Sequence, residues 1–202
     1  EAFGFQERAI ADGLDGYTVL GHGRSRRRRG EHVPLLVRRD RFDVVSSSTL
    51  WLSDTPDAPG SLLPGARFPR IATTARLRDR RSDHTFTVAN THLDASDAGR
   101  RLRSAELLAG WSTGWAAPIL VGDLNATIDA PELAPLLAAG LRDACPPDAP
   151  GTNHDFTGRT DGPRIDHVLV GPSWEVSTAT VAVRDGRPPT DHWAVVADLR
   201  TP

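Results

Sequence analysis

The chain contains no lysine and no methionine, and it has a single cysteine, Cys145. One cysteine excludes an internal disulfide. Any metal site must therefore draw on oxygen and imidazole ligands rather than on grouped thiolates. All 24 basic residues are arginine, a bias read mainly as coding composition, although the guanidinium is also the better fork for phosphate. No apolar run approaches a membrane span and no signal-peptide pattern is visible, so a soluble protein is expected, with the compartment open between cytoplasmic and secreted. The formal net charge of −2 supplies no global field that would pull the protein onto nucleic acid or membrane. No repeat or interdomain linker interrupts the 202 residues, which suit one domain (1–202), expected to be monomeric. The chain opens at Glu1 and enters apolar sequence at once (Ala2, Phe3, Phe5), from which a lost N-terminal segment is expected.

What is present is 39% hydrophobic and 25% charged, with 18 Gly and 16 Pro, a composition of short elements and many loops. Strand-like runs rich in β-branched residues and bordered by turns fall at 2–6, 17–20, 33–38, 42–50, 71–77, 85–93, 119–122, 165–170, 176–183 and 194–199. Two helices interrupt them. The first covers 96–115, capped by Ser96 or Asp97, with Leu102, Ala105, Leu108 and Ala109 at helical spacing. The second starts near Asp129, has Pro131 in its first turn and stops at Gly140. Many strands and few helices, out of strict alternation, predict an α+β layered sandwich rather than a doubly wound sheet. The run GHGRSRRRRG at 21–30 reads either as a solvated, mobile loop or as a phosphate-steering patch at the mouth of a site. Residues 53–65 read as a long structured loop.

Several strand ends carry chemistry. In Pro118-Ile119-Leu120-Val121-Gly122-Asp123-Leu124-Asn125, an apolar run delivers Asp123 and Asn125, two residues apart and on one face. Such a pair suits a water nucleophile and a metal-bound phosphate, or simply caps a turn. Along 85–93, Phe86, Val88, Asn90 and His92 share a face that runs from apolar to polar, and Asp94 follows. Asp166 opens the apolar run after Arg164-Ile165, as either a turn residue or a site carboxylate. Thr190-Asp191-His192 precedes the last strand. Neighbours in extended chain face opposite ways, so Asp191 and His192 can share a site only at an irregular strand entry, which Pro188-Pro189 favours. Glu7, after Phe3-Gly4-Phe5-Gln6, is a candidate metal carboxylate or the first-turn acid of a helix. Acids, amides and imidazoles without thiolates point to Mg²⁺ or Mn²⁺ rather than structural Zn²⁺, and to metal-assisted phosphoester hydrolysis.

The order Gln6-Glu7, Asn90-Thr91-His92-Leu93-Asp94, Gly122-Asp123-Leu124-Asn125, Arg164-Ile165-Asp166-His167 and Asp191-His192 resembles the endonuclease/exonuclease/phosphatase superfamily, of DNase I-like fold. Gly23-Arg24, Gly30-Glu31, Trp51 to Pro56, Pro59-Gly60-Ser61 and Gly151-Thr152 resemble an uncharacterised bacterial-type branch. The resemblance implies a four-layered α/β/β/α sandwich of two mostly antiparallel sheets, preceded in the family by a strand and helix not found here. It implies a divalent-metal-dependent phosphoesterase acting on a small phosphoester or a nucleic acid. Glu7 would be the main metal carboxylate. Asp123 would activate the attacking water, Asn125 hold water and phosphate, and His92 and His192 contact the phosphate. Asp166 would position substrate or metal, and Asp191 bind metal or orient His192. Asn90, Arg24 and Glu31 are candidate substrate contacts. Thr74 departs from the branch, which carries Trp there. Two other functions stand beside this one: a catalytically silent binding module on the same fold and, within enzymes, a Mg-dependent nuclease. The five tryptophans are expected chiefly in the core.

Overall fold

A computed structural model describes residues 2–184 and 190–200. Its centre is a six-stranded sheet formed by β5 (Phe42–Trp51), β6 (Ile71–Asp79), β7 (Thr85–His92), β8 (Pro118–Asp123), β10 (Asp166–Val170) and β9 (Arg142–Asp143), in that spatial order. All neighbours are antiparallel except β7 and β8. That one parallel pair needs a crossover, supplied by α2 (Ala98–Ser112). Asp97 caps α2 by accepting from the Arg100 amide at 2.7 Å.

The sheet buries both faces, as its alternating strands dictate. On one side Ala72, Ala89, Leu120 and Leu169 meet Ala105, Leu108 and Ala109 of α2. Leu133 and Leu136, from a 3-10 turn (Pro131–Leu133) and α3 (Ala134–Ala138), complete that core. On the other, Ala75, Leu77, Phe86, Ile119 and Val170 pack against Leu35, Val37 and Trp174. This second β layer consists of separate antiparallel pairs: β2 (Tyr17–Leu20) with β4 (Leu35–Arg38), β11 (Glu175–Ala182) with β12 (Ala194–Arg200), and β1 (Ala2–Phe3) with β3 (Glu31–His32). The layering is as expected, but among the described residues the second layer is three ribbons rather than one continuous sheet.

The N-terminal expectation fails in one respect. Residues 2–6 do not form a strand; β1 stops at Phe3 and α1 (Gly4–Gly13) begins. The Gln6 side chain accepts from the Phe3 amide at 2.8 Å, and Glu7 sits in the first turn, where a carboxylate favours a helix start. The strand expected at 33–38 begins only at Leu35, because Pro34 cannot donate to the ladder. Trp51, Trp174 and Trp193 are buried, and Trp111 and Trp115 pack against the α2 core, as expected of them. Thr74 is also buried, its hydroxyl 2.8 Å from that of Ser48.

Candidate active site

The parallel β7–β8 register sets His92 beside Asp123, and the antiparallel β8–β10 register sets Asp123 opposite Asp166. Three candidate residues thus meet because three strands end at the same level. Gly122 permits this. Its φ is +136°, and a Cβ there would lie 1.9 Å from the Thr91 carbonyl oxygen, so only glycine lets β7 and β8 close up. Asn125 takes the left-handed region at φ 51°, tolerable for Asn, and turns back on Asp123. Its backbone N–H donates to Asp123 Oδ1 at 2.7 Å, and its Nδ2 donates to Asp123 Oδ2 and to the Leu93 carbonyl, both at 3.2 Å.

Asp191 and His192 enter the same cleft from the segment before β12. Expected irregularity is present at the described residues: β12 starts at Ala194, and His192 forms an isolated bridge with Asn153. Pro188 and Pro189 lie outside the described residues. His192 Nδ1 stands 2.7 Å from Asp166 Oδ2. That hydrogen bond to Asp166, against the opposing effect of burial, pushes the imidazole pKa up to about 9. Burial, and then the charge of Asp166, pushes the Asp123 carboxyl above the usual carboxylate range. A cleft of about 500 Å³ is lined by Asn90, His92, Asp123, Asp166, Asp191 and His192 among others. Asn90 is fixed there by donating from Nδ2 to the Pro34 carbonyl at 2.9 Å.

Glu31 ties the site to the arginine-rich turn. Its Oε1 accepts from Arg24 Nη1 at 2.6 Å and lies 3.1 Å from His92 Nδ1, while His92 Nε2 is 3.7 Å from Asp123 Oδ2. Arg24 and Glu31, expected at the substrate, therefore form a buttress behind His92. Glu7 is not among the residues lining the Asp123 cleft. It faces His32 from the first turn of α1, its Oε2 in close contact with His32 Nδ1. A second, adjoining cleft contains Gln6 and Glu31 and shares Thr190 and Asp191 with the first. Among the described residues, no three His, Cys, Asp or Glu side chains converge so as to hold an ion.

Three contributors escape a reading of residue types alone. The buried Thr152 hydroxyl accepts from the amides of Ile165 (3.0 Å) and Asp166 (3.1 Å), setting the entry of β10. His167, buried behind Asp166, has Nδ1 2.9 Å from Asp143 Oδ2 and Nε2 3.0 Å from the Ala126 carbonyl, bracing the turn that follows Asn125. His32 contacts Glu7. Gly151-Thr152 and the Arg164–His167 motif were the available signals, but neither discloses its partners.

Comparison with known proteins agrees with this architecture. The profile described as Endonuclease/Exonuclease/phosphatase family matches residues 3–192. An endonuclease/exonuclease/phosphatase family protein from Bacteroides thetaiotaomicron superposes with a TM-score of 0.91 at 30% identity, covering 98% of this chain and 80% of that one. The mannosyl-6-phosphatase Bt3783 from Bacteroides thetaiotaomicron VPI-5482 gives 0.88 at 30%, covering 99% and 83%. D. rerio TDP2 complexed with a single-strand DNA product gives 0.79 at 15%, covering 100% and 84%, a likeness of fold alone. No curated protein matches the chain.

Proposed function

Since this chain belongs to the endonuclease/exonuclease/phosphatase family, we propose that it is a divalent-metal-dependent phosphoesterase that hydrolyses its substrate with an activated water. The observation that carries the reading is the continuous line His92, Asp123, Asp166, His192 along adjoining strand ends, two imidazoles flanking two carboxylates in one cleft. Within hydrolysis, Asp123 is the base. A carboxyl pushed upward by burial holds a proton better than an exposed one, which is what accepting a proton from water requires. Asn125 holds that carboxylate in one orientation through two hydrogen bonds. His192 is kept by Asp166 with Nδ1 engaged, leaving Nε2 as the donor to a phosphate oxygen or leaving group. His92, propped by Glu31, stands beside Asp123 as the second imidazole contact for developing charge.

The donor set suits Mg²⁺ or Mn²⁺: it is made of oxygens, with two facing carboxylates at Asp123 and Asp166 and a third, Asp191, lining the same cleft. Glu7, from the first turn of α1, and Asp191, from the wall of the cleft, would hold the ion. When bound, the ion would supply Lewis-acid stabilisation of charge on the phosphoryl oxygens. Hydrolysis of bis(4-nitrophenyl) phosphate and 4-nitrophenyl phosphate tests the reading. Either activity should vanish in EDTA and return on adding excess Mg²⁺ or Mn²⁺. Turnover indifferent to EDTA would refute the metal requirement, and no turnover of any phosphoester would favour a silent binding module. The mannosyl-6-phosphatase relative makes a sugar phosphate the first physiological candidate to try.

A further inference from the structure

Arg26, Arg27, Arg28 and Arg29 line neither cleft described above, but their turn leads within two residues to Glu31, which lines the second cleft and contacts His92. Their turn is built by the backbone. Gly23 N–H donates to the Arg28 carbonyl (3.1 Å), Arg28 N–H to the Ser25 carbonyl (2.7 Å), and Arg29 N–H to Ser25 Oγ (3.0 Å). Trp51 Nε1 fastens its base by donating to the Arg24 carbonyl at 2.7 Å. Gly60 lets the neighbouring loop press against it, since a Cβ there would meet the Arg26 backbone at 2.7 Å.

The backbone thus fixes the turn while all four side chains are exposed. Among the described residues, no carboxylate lies within ion-pair distance of any of the four. Four uncompensated like charges in sequence cost repulsion, and in a chain of net charge −2 they form a local field rather than part of a general one. The field is felt at His22, where burial, assisted by Arg28, holds the imidazole below its ordinary pKa. The turn runs directly into Glu31, the buttress of His92, and two residues of chain span at most about 7 Å.

We propose that the Arg26–Arg29 turn docks phosphates other than the one being cleaved, so that the preferred substrate carries phosphates in series. One phosphate is satisfied by one or two guanidinium forks, whereas four along a turn engage more than one. The proposal rests on the phosphoesterase reading of the cleft, but its surface can be tested by binding alone.

The test compares the protein with its Arg26→Gln, Arg27→Gln, Arg28→Gln, Arg29→Gln variant, both carrying Asp123→Asn so that bound substrate survives. A fluorescent single-stranded oligothymidylate 12-mer and inositol hexakisphosphate, added as competitor, serve as separate arms. Weakening of at least tenfold at low salt is expected in at least one arm, and the arm that responds tells a strand from a compact polyphosphate. For the oligonucleotide, the slope of log affinity against log salt should fall by about 2, the release expected from losing roughly three phosphate contacts at about 0.7 each. With Asp123 restored, kcat/KM on bis(4-nitrophenyl) phosphate, which carries one phosphate, should stay within about twofold between the arginine and glutamine forms, as should Tm. Equal affinity and salt dependence in both arms would overturn the proposal, as would an equal loss on the single-phosphate ester. Absence of ester turnover in both proteins would instead count against the phosphoesterase reading, leaving the binding result to decide the surface.

Discussion

At the scale of residues, the site depends on second partners as much as on the groups that face the cleft. Thr152 is the clearest case, because one buried hydroxyl accepts from two consecutive amides at the start of β10. Thr152→Val keeps the volume and leaves those N–H groups without an acceptor, at a cost of about 1–3 kcal/mol. Thr152→Ser keeps the oxygen and should recover most of that loss in urea unfolding. Equal destabilisation by Val and Ser would show that packing, not the hydroxyl, matters there. Asp123, Asn125, His92, Asp166 and His192 were legible in the sequence because an acid, amide or imidazole at the end of an apolar run has few reasons to be there. Thr152 and His167 were not legible in the same way, since their value lies in contacts 13 and 41 residues distant.

At the scale of elements, period-two alternation located the strands well, and their ends carried the site. The exception is instructive. Phe3-Gly4-Phe5 alternates like a strand, yet Phe5 is 66% exposed because the chain has already turned into α1. A short apolar alternation cannot report which side will find a partner. Glu7 therefore lies on a helix, paired with His32, rather than at the end of a strand. Gly122 governs the opposite kind of feature, a close approach that alternation does not reveal. Gly122→Ala should destabilise by more than about 3 kcal/mol, combining the strain of a positive φ with a clash against the Thr91 carbonyl. Chemical denaturation reads this directly. A variant of wild-type stability would mean that β7 and β8 do not approach as described.

Across the whole molecule, the six-stranded sheet carries a core on each face and the cleft at one end. The turn between β4 and β5 is clamped to the β6–β7 turn by Arg41, whose Nε and Nη2 donate to the two Asp79 oxygens at 2.7 and 2.6 Å. The Arg41 hydrogen bond lowers the Asp79 carboxyl from the ordinary 3.8 to about 2. A depressed carboxylate pKa stabilises the fold above its unfolded value, and that contribution is lost as pH falls through the folded value. The Tm deficit of Asp79→Asn should therefore be constant from neutral pH to about 4 and narrow towards pH 2. A deficit that persisted at pH 2 would contradict an ionic role. Fold class and layering were readable from composition and pattern, whereas the division of the second layer into ribbons depends on pairings that alternation does not specify.

The central claim is that Asp123 activates the water that attacks the phosphoester. Its most direct test is kcat/KM for bis(4-nitrophenyl) phosphate with Mg²⁺ present, measured on Asp123→Ala beside the parent protein, together with Tm. The account predicts a loss of about 10³-fold, within the range for removing a positioned base, with the fold retained. An Asp123→Ala protein that keeps most of its activity would contradict it.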